Sequence, residues 1–304
     1  MNILVSGASG LIGSALVPAL RAHGHVVSRL VRRPVASADE VRWDPAGHRL
    51  DPAALASVDA VVHLAGAGIA DKRWTAAYKR TVLDSRVDGT TTISEALAGA
   101  PSRPRVLLSM SGIGYYGDTG DRAVDESAPA GTGFMVDVVQ AWEQATAPAK
   151  AAGLRVVEMR TAPVLTAAGG TLGQMLPLAR LGLLSPLGSG QQYVSWISLA
   201  DQLRVVGFLL DADAVRGPVN VTSPNAVTMA ELTDTLLRVL GRPRLAPRVP
   251  AFALRLALGG FADEGVLTGP RVRPTALSAA GFHFEHPTVE EALRWATRRV
   301  AANS

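Results

Sequence analysis

Seven residues carry the first chemical signal. GASGLIG (7–13) follows the aliphatic run NILVS (2–6) and opens a segment of helical periodicity. Gly7 permits a tight turn, Gly10 lets the backbone approach a diphosphate, and Gly13 lets a helix pack closely on a sheet. Amides of Ser9, Leu11, Ile12 and Gly13, where the helix starts, would donate to that diphosphate. In strand–turn–helix context this points to a bound dinucleotide; a glycine turn without a ligand is the alternative. The second aliphatic run decides which dinucleotide. An NAD site usually carries Asp or Glu about 20 residues beyond the glycines. Here that run ends SRLVRRP, with Arg29, Arg32, Arg33 and no acid. A guanidinium fork suits a 2′-phosphate. NADP(H) is therefore expected, with Arg32 the first candidate ligand and Arg33 the next; solvated loop arginines are the alternative.

Other chemistries are excluded or unsupported. The chain has no cysteine, which removes thiolate nucleophiles, disulfides and Cys-ligated zinc. Its six histidines (23, 25, 48, 63, 283, 286) are scattered and form no metal set, so no metal is expected; His283 and His286 read as surface or packing residues. The formal charge is +4 over 304 residues, without a dense basic run interleaved with aromatics, so no nucleic-acid partner is expected. MNILVSG lacks the basic start of a signal peptide. The apolar stretch 172–188 is broken by two prolines and Arg180, short of the ~20 apolar residues of a membrane span. A soluble cytoplasmic protein acting on a small molecule is the expectation.

These residues need a scaffold, and the alternation of short aliphatic runs with helical segments supplies it. Strands are expected at 2–6, 25–31, 60–66, 105–111 and 154–160, with helices at 11–24, 72–100 and 134–153. Near-continuous apolar strands separated by helices imply a parallel sheet covered on both faces, and right-handed crossovers make it doubly wound. The expected fold is thus α/β, a Rossmann-type doubly wound parallel sheet over residues 1–160 with a smaller helix-rich C-terminal lobe over 161–304, interleaved with the last strands. In the lobe, SLAD (198–201), TMAE (228–231) and TVEE (288–291) carry capping signatures of helix starts.

GASGLIG, HLAGAGI (63–69) and SMSGIGYYGD (109–118) together resemble the extended or atypical short-chain dehydrogenase/reductase superfamily. DSRVDGT (84–90), GSGQQYVSWISLAD (188–201) and RPTALSAAGFHFEHPTVEEAL (273–293) are similar, more narrowly, to the sugar-nucleotide-epimerase-related proteins called epimerase family proteins. The resemblance covers nearly the whole chain. It implies that Ala65 and Gly66 line the cofactor's adenosine-ribose and diphosphate channel, and that Ser109 and Ser111 fall where the superfamily places its catalytic hydroxyl. Counting back from Tyr116-Gly117 instead puts Gly112 on that position, with Ser111 one residue away. Arg160 matches the strand-and-turn that meets the nicotinamide end. Gln192, Ser195 and Trp196 would face a substrate cleft between the lobes, and Arg73 with Trp74 would form a cleft wall that grips an anionic or sugar-like ligand. For each, packing or capping is the competing reading. Dimerisation through the segments 72–100 and 134–153 is a further implication.

The superfamily exchanges protons through a Tyr and a Lys four residues later on one helix face. Its register puts Phe134 and Val138 on those positions, and no Tyr is followed four residues later by Lys anywhere in the chain. Phenylalanine transfers no proton and valine polarises none. Ser111 with Tyr116, or Tyr115, is the candidate relocated acid, against a packing role for the tyrosines. Asp137 and Glu143 lie six apart on the same helix; Asp137 facing the cleft is one reading, and a solvated carboxylate is the usual one. Two functions follow: an NADP(H)-binding oxidoreductase or epimerase-like enzyme on a small polar substrate, nucleotide-linked ones included, or a non-catalytic NADPH-binding sensor or scaffold.

Overall fold

The computed structural model describes residues 1–102 and 104–301. Its main sheet has seven strands: β1 Asn2–Ser6, β2 Val26–Val31, β3 Glu40–Arg42, β4 Ala60–His63, β5 Val106–Gly112, β7 Arg155–Thr161 and β11 Gly217–Val221. Their order is β11-β7-β5-β4-β1-β2-β3. Pairings β1–β2, β1–β4, β2–β3 and β4–β5 are parallel, with Ile3 registered to both Val27 and Ala60. The chain thus leaves β1 to one side for β2 and β3, then returns to β4 on the other. That reversal beside β1 is a switch point, where the strand ends diverge and leave room for a ligand.

The five strands expected from the sequence form; β3 and β11 were not anticipated. Both are short, and β3 carries two charges in three residues, so neither shows an apolar run. Other boundaries also move. The segment expected as one helix over 134–153 is two, α3 Phe134–Gln144 and α4 Ala147–Ala151. Pro148 explains the break, because it has no N–H to give to the Gln144 carbonyl. The helix expected from 72 begins later: α2 runs Ala76–Ala98, with Thr75 Oγ1 accepting from the Tyr78 amide at 3.1 Å. Arg73 and Trp74 therefore precede the helix.

The chain divides into two compact units. The first comprises Met1–Ser111, Val138–Met159 and Leu203–Val219; the second comprises Gly112–Asp137, Arg160–Gln202 and Asn220–Ser304. The chain passes between the units several times, once between Met159 and Arg160, next to the 160/161 boundary expected from the sequence. The first unit's core joins strand residues Leu4, Val61 and Leu107 to Ile93 and Leu97 of α2. α1, Gly13–Ala22, starts directly after the glycine turn.

The second unit holds three two-stranded pairs: β6 Ala123–Val124 with β13 Arg271–Val272, β8 Val164–Leu165 with β10 Ile197–Ser198, and β9 Tyr193–Val194 with β12 Val227–Thr228. Its core gathers Leu172, Leu176, Trp196, Leu232, Leu236 and Leu293. The anticipated helix starts form. Thr228 and Glu231 make a reciprocal capping box, and Glu291 accepts from Thr288 N while Thr288 Oγ1 accepts from Glu291 N. Ser198 Oγ accepts from Asp201 N at 3.0 Å, starting the helix Leu199–Asp211. Among the described residues, no helix is long and apolar enough to cross a membrane.

Candidate functional site

The glycine turn lies against the loop that follows β4. Gly7 has φ +67°, which L side chains rarely adopt, and a Cβ there would stand 2.8 Å from Ala65 N and from the Leu64 carbonyl carbon. A Cβ at Gly13 would collide with the Gly7 carbonyl, so helix and turn close only on glycine. Gly10 N donates to Gly7 O at 3.0 Å and Ser14 N to Gly10 O at 2.9 Å. Among the described residues, no acceptor is bonded to the amides of Ser9, Leu11, Ile12 or Gly13. These are the orphan donors of a helix start, gathered on one turn: the cradle an anion needs. Ala65 sits beside it through the Gly7 contact, and Gly66 follows in the chain.

A buried relay holds that contact. Ser6 Oγ accepts from Leu64 N at 3.0 Å and Ala65 N at 3.2 Å, so its own hydroxyl goes to His63 Nδ1 at 2.6 Å. His63 Nε2 then carries the proton and donates to Thr90 Oγ1 at 3.1 Å. Burial without a counter-charge pushes the His63 pKa down to about 4 and keeps the imidazole neutral. His63 thus ties β1, the post-β4 loop and α2 together. HLAG is visible in the sequence, but the pairing with Ser6, 57 residues away, is not.

At the other end of the expected dinucleotide, the acids are already taken. Asp39 accepts from Arg29 and Arg21, and Glu40 accepts bidentately from Arg33 at 2.9 and 2.5 Å. Arg29 holds the Asp39 carboxyl well below the usual range, and Arg33 does the same for Glu40. Arg32 differs: it is exposed and, among the described residues, no hydrogen bond or ion pair engages it. Of the two arginines read from the sequence, Arg33 is committed to Glu40 and Arg32 is available.

Ser111, at the end of β5, is 3% exposed, and its Oγ donates to Glu143 Oε1 of α3 at 2.7 Å. Glu143 is thus a hydroxyl partner rather than only a solvated carboxylate. The neighbouring Ser109 is buried and bonds weakly, at 3.4 Å, to the Met110 carbonyl. On α3, Val138 is 1% exposed and Trp142 is buried, while Phe134 is half-buried. None of the three carries a group that exchanges a proton at neutral pH.

The remaining candidates fall in the second unit, and the structure gives them internal partners. Tyr116 is 2% exposed; its hydroxyl donates to Asn220 Oδ1 at 2.7 Å and accepts from Arg160 Nη1 at 3.1 Å. Burial pushes the phenol pKa up, against which Arg160 acts only partly. A raised phenol is a poorer acid at neutral pH, so this placement favours packing over proton transfer for Tyr116. Arg160 is buried, with its guanidinium 3.4 Å from the Tyr115 ring centroid. Gln192 donates to the Leu187 and Val266 carbonyls, and Ser195 bonds to Pro270 O and Val272 N. Trp196 is 0% exposed with Nε1 on the Asn225 carbonyl, a core position. In the first unit, Trp74 Nε1 donates to Ile69 O and Arg73 is exposed.

One cluster of potential metal donors exists among the described residues, Asp201 with Glu285 and His286. Its carboxylate is occupied: Asp201 accepts from the amides of Glu285 at 2.8 Å and His286 at 2.9 Å. It fastens a turn to the helix starting at Leu199.

Residues 3–222 match the model of the NAD dependent epimerase/dehydratase family. The chain belongs to that family. Residues 249–296 match a second model, a domain of unknown function, DUF1731. Among relatives, the epimerase family protein Mb2239 of Mycobacterium bovis is 48% identical, covering 98% of each chain. The human epimerase family protein SDR39U1 is 33% identical over 97% of this chain and 99% of its own. A crystal structure of human SDR39U1, isoform 2, with NADPH superposes with a TM-score of 0.87 at 30% identity, covering 98% of this chain and 99% of that one. The family assignment therefore agrees with the resemblance carried by GASGLIG, HLAGAGI and SMSGIGYYGD.

Proposed function

We propose that this chain binds NADP(H) through its first unit and acts as an oxidoreductase or epimerase-like enzyme on a small polar substrate, nucleotide-linked substrates included. The observation that carries the reading is the set of amides of Ser9, Leu11, Ile12 and Gly13, unengaged among the described residues, on a turn that only glycine can close against Ala65. The available Arg32, with the neighbouring acids neutralised by Arg29 and Arg33, supports the phosphorylated cofactor over NAD(H). The relative crystallised with NADPH adds to this. When bound, the cofactor supplies or accepts a hydride at its nicotinamide. The protein's part is to hold it, to orient a substrate beside it, and to move one proton. With Phe134 and Val138 inert, Ser111 is the hydroxyl assigned to that proton, and Glu143, 2.7 Å away, accepts or returns it.

The inert α3 positions also support a second reading, a non-catalytic NADPH-binding sensor or scaffold. Titration with NADPH and NADH tests the binding site: NADPH is expected to bind tighter, and equal affinities refute the Arg32 assignment. Loss of NADPH absorbance is then followed with a panel of carbonyl compounds, quinones and sugar nucleotides. Turnover that falls in Ser111→Ala supports the enzyme; tight binding with no turnover across the panel supports the sensor.

A further inference from the structure

α2 carries an arginine that the functional reading leaves without a task. Arg86 is half-buried in the first unit, and its side chain lies along Gly66: a Cβ at Gly66 would stand 3.5 Å from Arg86 Cγ and 3.6 Å from Cζ. The indole of Trp142 covers its guanidinium at 4.8 Å. Nη1 donates to the carbonyls of Ala67 and Val82, both at 3.0 Å. These bonds fix one corner of the fork. The edge formed by Nε and Nη2 is unengaged among the described residues, and neither atom is sealed from solvent.

What is missing is a carboxylate. Among the described residues no acid pairs with Arg86, whereas Arg29, Arg33, Arg238, Arg244 and Arg255 each have one. Burial pushes its pKa down to about 10, still leaving it charged at neutral pH. A partly desolvated cation held by carbonyls and a ring, with one planar edge open, gains most when an anion completes it. Gly66 follows Ala65, the residue against which Gly7 packs, so the Arg86 guanidinium lies one residue along the chain from the contact that closes the amide cradle.

We propose that Arg86 is an oxyanion anchor that receives phosphate oxygens held beside the 7–13 turn, through its Nε–Nη2 edge. This rests on the dinucleotide-binding reading. The phosphate belongs either to the cofactor's diphosphate or to that of a nucleotide-linked substrate, and two arms of one experiment separate these sources. The full-length protein and its Arg86→Gln and Arg86→Lys variants are titrated with NADPH and with NADH, and, when saturated with NADPH, with UDP. If the cofactor is the source, Arg86→Gln weakens NADPH and NADH alike by roughly tenfold, the loss of one charge-assisted contact. Arg86→Lys keeps the charge without the fork and recovers part of it. If the substrate is the source, the cofactor affinities stay and UDP binding weakens. Added salt separates an anchor from a merely structural arginine: the fall in affinity with ionic strength becomes shallower in Arg86→Gln only if the charge meets a ligand. Unchanged affinity in both arms, or an unchanged salt slope, overturns the proposal. A wild-type protein that binds neither NADPH nor NADH refutes the dinucleotide reading instead.

Discussion

Acid should loosen this protein through His63 before it reaches the carboxylates. The imidazole is buried with an unfolded-state pKa near 6.5 and a folded one of about 4. The folded pKa is depressed for a base, so the unfolded chain binds the proton first as pH falls. Stability is therefore complete above about pH 6.5 and is lost on the way down to about 4. At pH 5 the single-site expression gives a loss of about 2 kcal/mol, approaching about 3 near pH 4. Geometry points the same way: a protonated Nδ1 has no lone pair for the Ser6 hydroxyl, whose own lone pairs are taken by Leu64 N and Ala65 N. The assay is urea unfolding of wild type and His63→Gln from pH 8 to pH 4.5. The variant is expected to be less stable at pH 7.5, with the gap closing by about 2 kcal/mol at pH 5. A gap that stays constant with pH would refute the neutral buried imidazole. The Asp39 and Glu40 carboxyls, held low by arginines, lose their pairing only at more acid pH and should not contribute in this window.

Three further outcomes are expected. Arg32→Ala should weaken NADPH about tenfold and leave NADH unchanged, so the cofactor preference collapses in paired titrations. Gly7→Ala should lower stability by more than about 1 kcal/mol, from its positive φ and the contact with Ala65, and abolish dinucleotide binding in the fraction that folds. Tyr116→Phe should cost about 1–3 kcal/mol in chemical denaturation, by removing the hydroxyl that donates to Asn220 Oδ1 and accepts from Arg160 Nη1, while turnover on any substrate found by the panel stays within about twofold. A large turnover loss at unchanged stability would return Tyr116 to the chemistry.

Much of the fold is local and therefore legible. NILVS and RVLLSMS are buried almost throughout, and a strand covered on both faces has to be apolar along its whole length. The glycine turn and the capping pairs at 228–231 and 288–291 act over three or four residues, a distance at which sequence is geometry. What escaped is long-range or compensated. β3 reads as charged because Glu40 is neutralised by Arg33, seven residues back. Ser6 and His63 look like unrelated strand ends until β1 and β4 pair. Arg86 is one polar residue in a helix with little amphipathic pattern, and only the packing of Gly66 and Trp142 around it sets it apart. The placing of Tyr116 and Trp196 in the core depended on side-chain directions that no spacing reveals.

Val138 bears on the chain's future as much as its present. In the register that the resemblance implies, restoring a Tyr–Lys pair would take Phe134→Tyr and Val138→Lys, two changes on α3. Yet Val138 is 1% exposed, and a lysine installed there would surrender its hydration or lose its charge. The intermediate sequence is penalised before any activity could reward it. Packing has turned a replaceable site into a one-way door, so directed evolution toward the ordinary chemistry should leave position 138 alone and recruit its proton from another strand end.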